Sequence, residues 1–308
     1  MKDSYLKRKL IVVYEYFYEK RRIFELHTRY RLPIMGTKRT INYIRKHRCS
    51  IARYGDGEFR LMMKVENLNL SFQSKSLQLS EMLLDVLKRD NSNLLLCFPR
   101  YFNSTRGLKE EAKHFWIEWG RRNQNQIKIV ELIRENAKNQ KKFGDALISR
   151  PYMDMSSPSL AKRIFPQLKK LWEQQDILIL EGEQTRLGIG NDLFANARTV
   201  KRILAPAINA FDSYEEIKKA VIDNYKGELL LIALGPTATV LAADFSERDI
   251  WALDIGHVDI EYEWYLNGAK TKTAIKGKYT NEVADGRIVG VCEDREYLSQ
   301  IIARVNSH

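Results

Sequence analysis

From residue 37 to the C-terminus, short uninterrupted apolar runs alternate with longer stretches in which apolar residues recur every three or four positions. The first pattern marks buried strands and the second marks amphipathic helices. Residues 37–46 read as a helix and 50–54 as a strand, followed by a helix over 77–88 and a strand over 93–98. A long helical region with Trp116 and Trp119 comes next, then a short apolar run at 146–149. Strands are expected at 176–180, 201–204, 228–234 and 250–253. This alternation predicts an α/β fold: a Rossmann-like, mostly parallel sheet with helices on both faces. Ligands of open parallel sheets bind beyond the carboxyl ends of the strands. Polar, glycine-bearing clusters follow Tyr54, Leu180, Leu234 and Leu253, and a single sheet would bring all of them to one edge.

The N-terminus departs from that pattern. It mixes Tyr5, Tyr14, Tyr16, Phe17, Tyr18, Phe24 and Tyr30 with Lys7, Arg8, Lys9, Lys20, Arg21 and Arg22. Leu10, Val13, Phe17 and Phe24 fall at near-helical spacing, which predicts a helical extension over residues 1–34 ahead of a domain over 35–308. Three readings stay open for it: an interfacial membrane helix, an oligomerisation or partner helix, and a helix packed on the domain. Pro33 and Gly36 suit the boundary.

Composition narrows the class. Of 308 residues, 44% are hydrophobic and 29% charged, a globular balance and not a disordered one. No apolar run reaches the roughly 20 residues that span a bilayer. The run Leu10-Ile11-Val12-Val13 is cut short by Tyr14-Glu15, with no cleavage site of a secretory signal after it. The expected location is the cytoplasm, at the inner face of the membrane if the extension is interfacial. Cys49, Cys97 and Cys292 are scattered, so neither a disulfide framework nor a zinc site is expected. The net charge of +12 favours anionic ligands, but no nucleic-acid module accompanies it, and no nucleic-acid partner is expected.

Four clusters can carry chemistry. In Arg53-Tyr54-Gly55-Asp56-Gly57-Glu58, two carboxylates flank a glycine, and hard oxygen ligands of this kind suit Mg²⁺ or Mn²⁺ bridged to phosphates. Arg53 can add a phosphate contact. An ordinary Gly-Asp-Gly turn is the alternative. Arg186, Gly188, Gly190, Asn191 and Asp192 lie in a loop after the 176–180 strand, where Asn191 or Asp192 can cap a following helix and present an anion site. That loop has neither a Walker ending nor a full dinucleotide fingerprint. Gly235-Pro236-Thr237-Ala238-Thr239 reads as a strand-to-helix turn with Pro236 in the first helical turn and Thr237 or Thr239 toward a phosphate or ribose. A structural loop with a capped helix explains the first of these loops equally well, and close packing of helix on sheet the second. Last, His257 sits among Asp254, Asp259, Glu261 and Glu263, so a metal-ligand or acid/base role competes with a structural one. A helix starting near Val258 would set Asp259 and Glu263 on one face. The turn Arg150-Pro151-Tyr152-Met153-Asp154 can supply an acceptor-side arginine, or simply be a surface turn.

Taken in order, these motifs resemble one family. Ser50-Ile51-Ala52-Arg53-Tyr54-Gly55-Asp56-Gly57-Glu58-Phe59 is similar to the opening signature of the GT-D glycosyltransferases, and the clusters at 150–154, 181–194, 235–239 and 254–264 fit the same series. The resemblance runs from about residue 35 to the end. It implies a Rossmann-like fold, a nucleotide-diphosphate sugar donor (typically UDP-glucose), a divalent cation such as Mn²⁺, and a glycan or glycoprotein acceptor at bacterial surfaces. The family's Asp-x-Glu motif, which serves metal and nucleotide, maps onto Asp56 and Glu58. The expectation is therefore hexosyl transfer from a UDP-sugar, with metal held through Asp56, Glu58 and His257. Nucleotide-sugar contacts are expected from Arg53, Tyr54, Gly55, Asp56, Arg186, Gly188, Gly190, Asn191, Asp192, Gly235, Pro236 and Thr237, and Asp259 is the expected base. A metal-dependent nucleotide-sugar hydrolase or phosphotransferase, and a non-catalytic binding module, are the rival readings.

Overall fold

A computed structural model describes residues 28–64, 70 and 72–306, together with Arg21 and Phe24. Most of the N-terminal extension, and with it the membrane and self-association readings, lies outside the described residues. Where the chain is described again it is already part of the domain: Leu32 is buried, and its backbone N–H donates to Asn103 Oδ1 at 3.0 Å.

Among the described residues, eight strands form one sheet in which every pairing is parallel, in the order β3-β2-β1-β7-β6-β4-β5-β8. They are β1 (Ser50–Arg53), β2 (Leu94–Phe98), β3 (Gly144–Asp145), β4 (Asp176–Gly182), β5 (Thr199–Ala205), β6 (Leu229–Ala233), β7 (Ala252–Asp254) and β8 (Ile301–Arg304). The helices that position the site are α1 (Thr37–His47), α2 (Asp56–Met62), α3 (Leu77–Lys88), α4 (Glu110–Arg121), α5 (Asn125–Asn136), α6 (Ser159–Trp172), α7 (Tyr214–Asn224), α8 (Pro236–Ser246) and α9 (Val258–Leu266), with a short α10 (Arg295–Gln300) before β8.

The uninterrupted apolar strands follow from burial on both faces. Along β4, Leu178 and Leu180 join one core while Ile177 and Ile179 join the other. In β6, Leu230 and Ile232 face the first core, whereas Leu229 and Leu231 face the second. Successive side chains of a strand point to opposite sides, so a strand covered twice must be apolar at every position. The first core is closed by α2, α3, α5, α7 and α8, and the second by α1, α6 and α9. Each fully buried leucine or isoleucine contributes about 1.5–3 kcal/mol in this setting.

Two elements differ from the sequence pattern. The run at 146–149 is a 3₁₀ turn (Ala146–Ser149), and the strand is the pair of residues before it. Asp145 Oδ1 accepts the Leu147 N–H at 3.0 Å, and this cap starts the turn immediately after β3. No helix follows Asn191: residues 183–198 cross from β4 to the parallel β5 as a run of turns. Arg186, Gly188 and Gly190 all have positive φ, which breaks helical propagation in this stretch. The strand β8 is an addition that the sequence pattern did not reveal; its alternating, half-exposed residues pair with β5 at the sheet edge.

Among the described residues, no helix is long and apolar enough to cross a membrane.

Candidate active site

Because the sheet is parallel, the carboxyl ends of β1, β3, β4, β6 and β7 open on one edge, where they line a cleft of about 700 Å³. At its centre is the end of β1. Tyr54 turns its ring into the core, and its hydroxyl donates to the Leu83 carbonyl at 2.9 Å. Gly55 is then the N-cap of α2, so Asp56 and Glu58 occupy the first turn of a helix and not a free loop. Glu58 reaches back to accept the Gly55 N–H at 2.7 Å, the reciprocal half of a capping box. Both carboxylates stand at the positive end of the helix dipole. Burial nevertheless pushes the Glu58 carboxyl up to about 7, helped by the neighbouring charges of Asp254 and Asp56. Asp56 has no hydrogen bond or ion pair among the described residues, and it lines the cleft.

Arg53 forms the floor beneath this pair. Its Nε donates to the Asp254 carbonyl at 2.7 Å, Nη2 to Asp254 Oδ1 at 2.8 Å, and Nη1 to the Ala146 carbonyl at 3.0 Å and Ser149 Oγ at 2.5 Å. Burial raises the Asp254 carboxyl, against the pull of Arg53 beside it. Gly256 has φ +43, and a Cβ there would lie 2.0 Å from Arg53 Nη2, so only glycine fits over the guanidinium. Arg53 therefore ties β1, β7 and the turn after β3 together, with most of its donors spent on that task.

On the next wall His257 ends the β7 loop as the N-cap of α9. Its Nε2 is 3.0 Å from Asn281 Oδ1 and 3.5 Å from Glu282 Oε1. Burial and the nearby Arg150 lower its pKa to about 4, so the ring is neutral at neutral pH. Glu282 bonds Arg150 and, at 2.6 Å, Lys272. Despite burial, those two cations and His257 hold its carboxyl well below the usual range. Glu261 fixes the Arg150 turn from behind by accepting the Tyr152 and Met153 N–H groups, each at 2.9 Å.

The expectations divide here. Gly55, Asp56, Glu58, Gly235 and His257 are brought to one cleft, and Arg53 and Tyr54 form its base. Asp56, Glu58 and His257 do not assemble as the expected metal trio: among the described residues, no three His, Cys, Asp or Glu side chains gather as a cation cage. Arg186, Gly188, Gly190, Asn191 and Asp192 stay outside the cleft lining. Arg186 is buried and donates to the carbonyls of Gly277 and Gly290, pinning the C-terminal segment. Asn191 Nδ2 donates to Asp259 Oδ1 at 2.8 Å and Glu263 Oε1 at 2.7 Å, and Asp192 is held by Lys169 and Tyr262.

Asp259, the expected base, lies outside the cleft lining. It is fully buried, and its oxygens accept from the Gly188 N–H, Asn191 and, at 2.7 Å, the buried Lys278 ammonium. It does share a helix face with Glu263, since Lys278 bridges both. Pro236 and Thr237 are buried at the start of α8, Thr237 Oγ1 lying 3.4 Å from Gln73 Oε1, while Thr239 donates to the Arg53 carbonyl at 2.9 Å. Only Gly235 of that motif reaches the cleft; it has φ +55, with Phe72 at 2.5 Å from where a Cβ would stand.

The residues that sequence reasoning did not single out come mainly from two other places. Lys270, Lys272, Tyr279, Asn281 and Glu282 belong to an irregular segment after α9, and Phe115 lies on α4. The first set has no periodic pattern to reveal it, and its place is fixed by Lys278 and Arg186 from below.

Comparison with known proteins agrees with this geometry. A model of the glycosyltransferase GT-D fold matches residues 51–283. The chain is 33% identical over 275 residues to glycosyltransferase GlyD of Streptococcus pneumoniae, and 33% identical over 275 residues to a probable glycosyl transferase, Gly, of Streptococcus gordonii. Each match takes in 89% of this chain but only 33% and 39% of those longer proteins, so the chain spans well under half of the curated relatives it matches. A solved domain of unknown function 1792, described as having a distinct glycosyltransferase fold, superposes with a TM-score of 0.81 at 33% identity, over 94% of this chain and 99% of that one. A glycosyltransferase of the same domain type from Streptococcus sanguinis gives 0.80 at 32% identity, over 90% of this chain and all of the other. With its motifs at the carboxyl edge of an all-parallel sheet and the model matched over most of its length, the chain belongs to the GT-D glycosyltransferase family.

Proposed function

We propose that this chain transfers a hexosyl group, glucose being the first candidate, from a UDP-sugar to a glycan hydroxyl. The observation that carries the reading is the Asp56 carboxylate, without a partner among the described residues, beside Glu58 in the cleft at the end of β1. An acid left without a partner in a structured cleft is what a cation-bridged diphosphate requires. A dedicated protein cage is not needed, because Mg²⁺-type ions are commonly bound by one or two carboxylates plus substrate phosphates.

The donor set therefore fits a divalent metal. Asp56 would hold it, with Glu58 contributing when ionised, while His257 lies with Asn281 and Glu282 instead. A bound Mn²⁺ or Mg²⁺ supplies Lewis-acid neutralisation of the departing diphosphate. The chain's own contribution is position. The N-termini of α8 and α9 have no side-chain cap; Pro236 lacks an N–H and the Ala238 and Val258 N–H groups donate to the Gly235 and Ile255 carbonyls, so it is chiefly the helix dipoles that favour phosphate oxygens there. Glycine at 235 and 256 leaves room for the Phe72 ring and the Arg53 guanidinium that shape the cleft. Arg150, held by Glu282, adds a fixed positive charge at the cleft wall.

The test is a panel of nucleotide sugars screened for metal-dependent release of the nucleotide, first alone and then with sugar acceptors. The reading expects release from a UDP-hexose that needs Mn²⁺ or Mg²⁺ and rises with acceptor. Release indifferent to every acceptor would favour the hydrolase, and no release from any donor would sink the transferase.

A further inference from the structure

The wall of the cleft that contains α4 differs in chemistry from the phosphate-suited floor. Four residues of that helix, Glu111, Ala112, Phe115 and Trp116, line the cleft, and their spacing places them along one face. Trp116 is held rigidly from behind, its ring 5.3 Å from Tyr101, 6.4 Å from Phe102 and 5.7 Å from Trp119. Phe115 meets Trp116 edge to face at 5.5 Å and is otherwise 48% exposed. Beside it the short side chain of Ala112 leaves the ring uncovered. Such a ring, exposed inside a cleft and backed by a rigid aromatic cluster, is preorganised to stack on a flat apolar surface.

The neighbouring polar groups say which surface. Glu111 and Asp154 both line the cleft, and neither carboxylate has an ion pair or hydrogen bond among the described residues. Lys109, two residues before Glu111, donates its ammonium to the Lys270 carbonyl at 3.1 Å. With no cation bridging them, two open carboxylates repel a diphosphate but accept hydrogen bonds from hydroxyls. A hexose ring has both required features: a face of C–H groups for the aromatic ring and a rim of hydroxyls for the acids.

We infer that the α4 wall is a sugar-binding subsite, in which a hexose ring of the acceptor stacks on Phe115 while Glu111 and Asp154 take its hydroxyls. Its role as the acceptor subsite rests on the transferase reading above; the binding of a neutral sugar does not, and can be measured without turnover.

The experiment uses the full chain, with methyl β-D-glucopyranoside at millimolar concentration as the probe in saturation-transfer NMR. UDP affinity is measured alongside by calorimetry. Wild type should pass saturation to the ring C–H protons. Phe115→Ala should cut that signal about fivefold and Phe115→Trp should retain most of it, with UDP affinity unchanged within about twofold in both. Equal sugar signals in wild type and Phe115→Ala, or no signal in wild type, would overturn the inference. So would a UDP affinity that falls about tenfold in Phe115→Ala, which would make the ring a platform for the nucleobase. A folded Phe115→Ala chain is expected, since the ring is half exposed. If no donor is turned over but the NMR result holds, the subsite stands and the transferase reading falls.

Discussion

Replacing Glu58 by Gln should make the protein more stable at pH 8 and less able to work. The folded chain holds the Glu58 carboxyl near 7, against an ordinary value of 4.5. Each tenfold change in proton affinity is worth about 1.4 kcal/mol, so the displacement corresponds to about 3 kcal/mol of unfavourable ionisation. The sign follows from proton counting. Between pH 4.5 and 7 the native carboxyl retains a proton that the unfolded one has released, so stability falls as pH rises through this window. Above about 7 the whole cost is present, and below 4.5 it is absent. Glutamine is never charged and can still accept the Gly55 N–H, so the capping box survives. Denaturant unfolding at pH 8 should show Glu58→Gln more stable than wild type by about 1–3 kcal/mol, with the gap closing by pH 4. Other buried acids such as Glu261, also raised to about 7 by burial, are common to both proteins and cancel in the difference. A gap that is independent of pH, or a variant less stable than wild type at pH 8, would refute the reasoning.

Three further substitutions separate scaffold from site. Asp259→Asn should destabilise by a few kcal/mol while leaving turnover per folded molecule within about threefold of wild type, because the residue balances Lys278 and lies outside the cleft lining; a loss of about a thousandfold in a folded variant would identify it as the base. Lys278→Met should cost about 3–5 kcal/mol in urea unfolding, since it strands the buried Asp259 and half of the Glu263 contact; a change under 1 kcal/mol would contradict that. Gly256→Ala places a methyl 2.0 Å from Arg53 Nη2 and adds left-handed strain, so both the unfolding midpoint and donor turnover should fall; an unaltered midpoint would show that the guanidinium can move aside.

Much of the fold was legible because a doubly covered parallel sheet writes itself as uninterrupted apolar runs. Leu229 to Leu231 and Ile177 to Ile179 could be nothing but buried. The edges were less legible. β8 is half exposed and short, and the 146–149 run is apolar because the turn is buried, which periodicity alone cannot tell from a strand. Within the site, Asp56, Glu58 and Gly235 were readable from their strand-end positions. The same rule misplaced Asn191 and Asp259, because a polar residue after a strand serves equally to bind a ligand or to fasten loops. Here Lys278, which lies 19 residues from Asp259, decides between them, and no local pattern announces that contact. The cleft wall from Lys270 to Glu282 was illegible for a related reason: its shape is imposed by Arg186 and Lys278 rather than by its own periodicity.

The central claim is that Asp56 couples a divalent ion to a nucleotide diphosphate, and calorimetric binding of UDP with and without Mn²⁺ tests it most directly. In wild type Mn²⁺ should tighten UDP binding by about tenfold or more, while Asp56→Asn, expected to fold since the carboxylate has no partner among the described residues, should bind UDP with the same affinity whether the metal is present or not. An equal tightening by Mn²⁺ in Asp56→Asn and wild type would contradict the account.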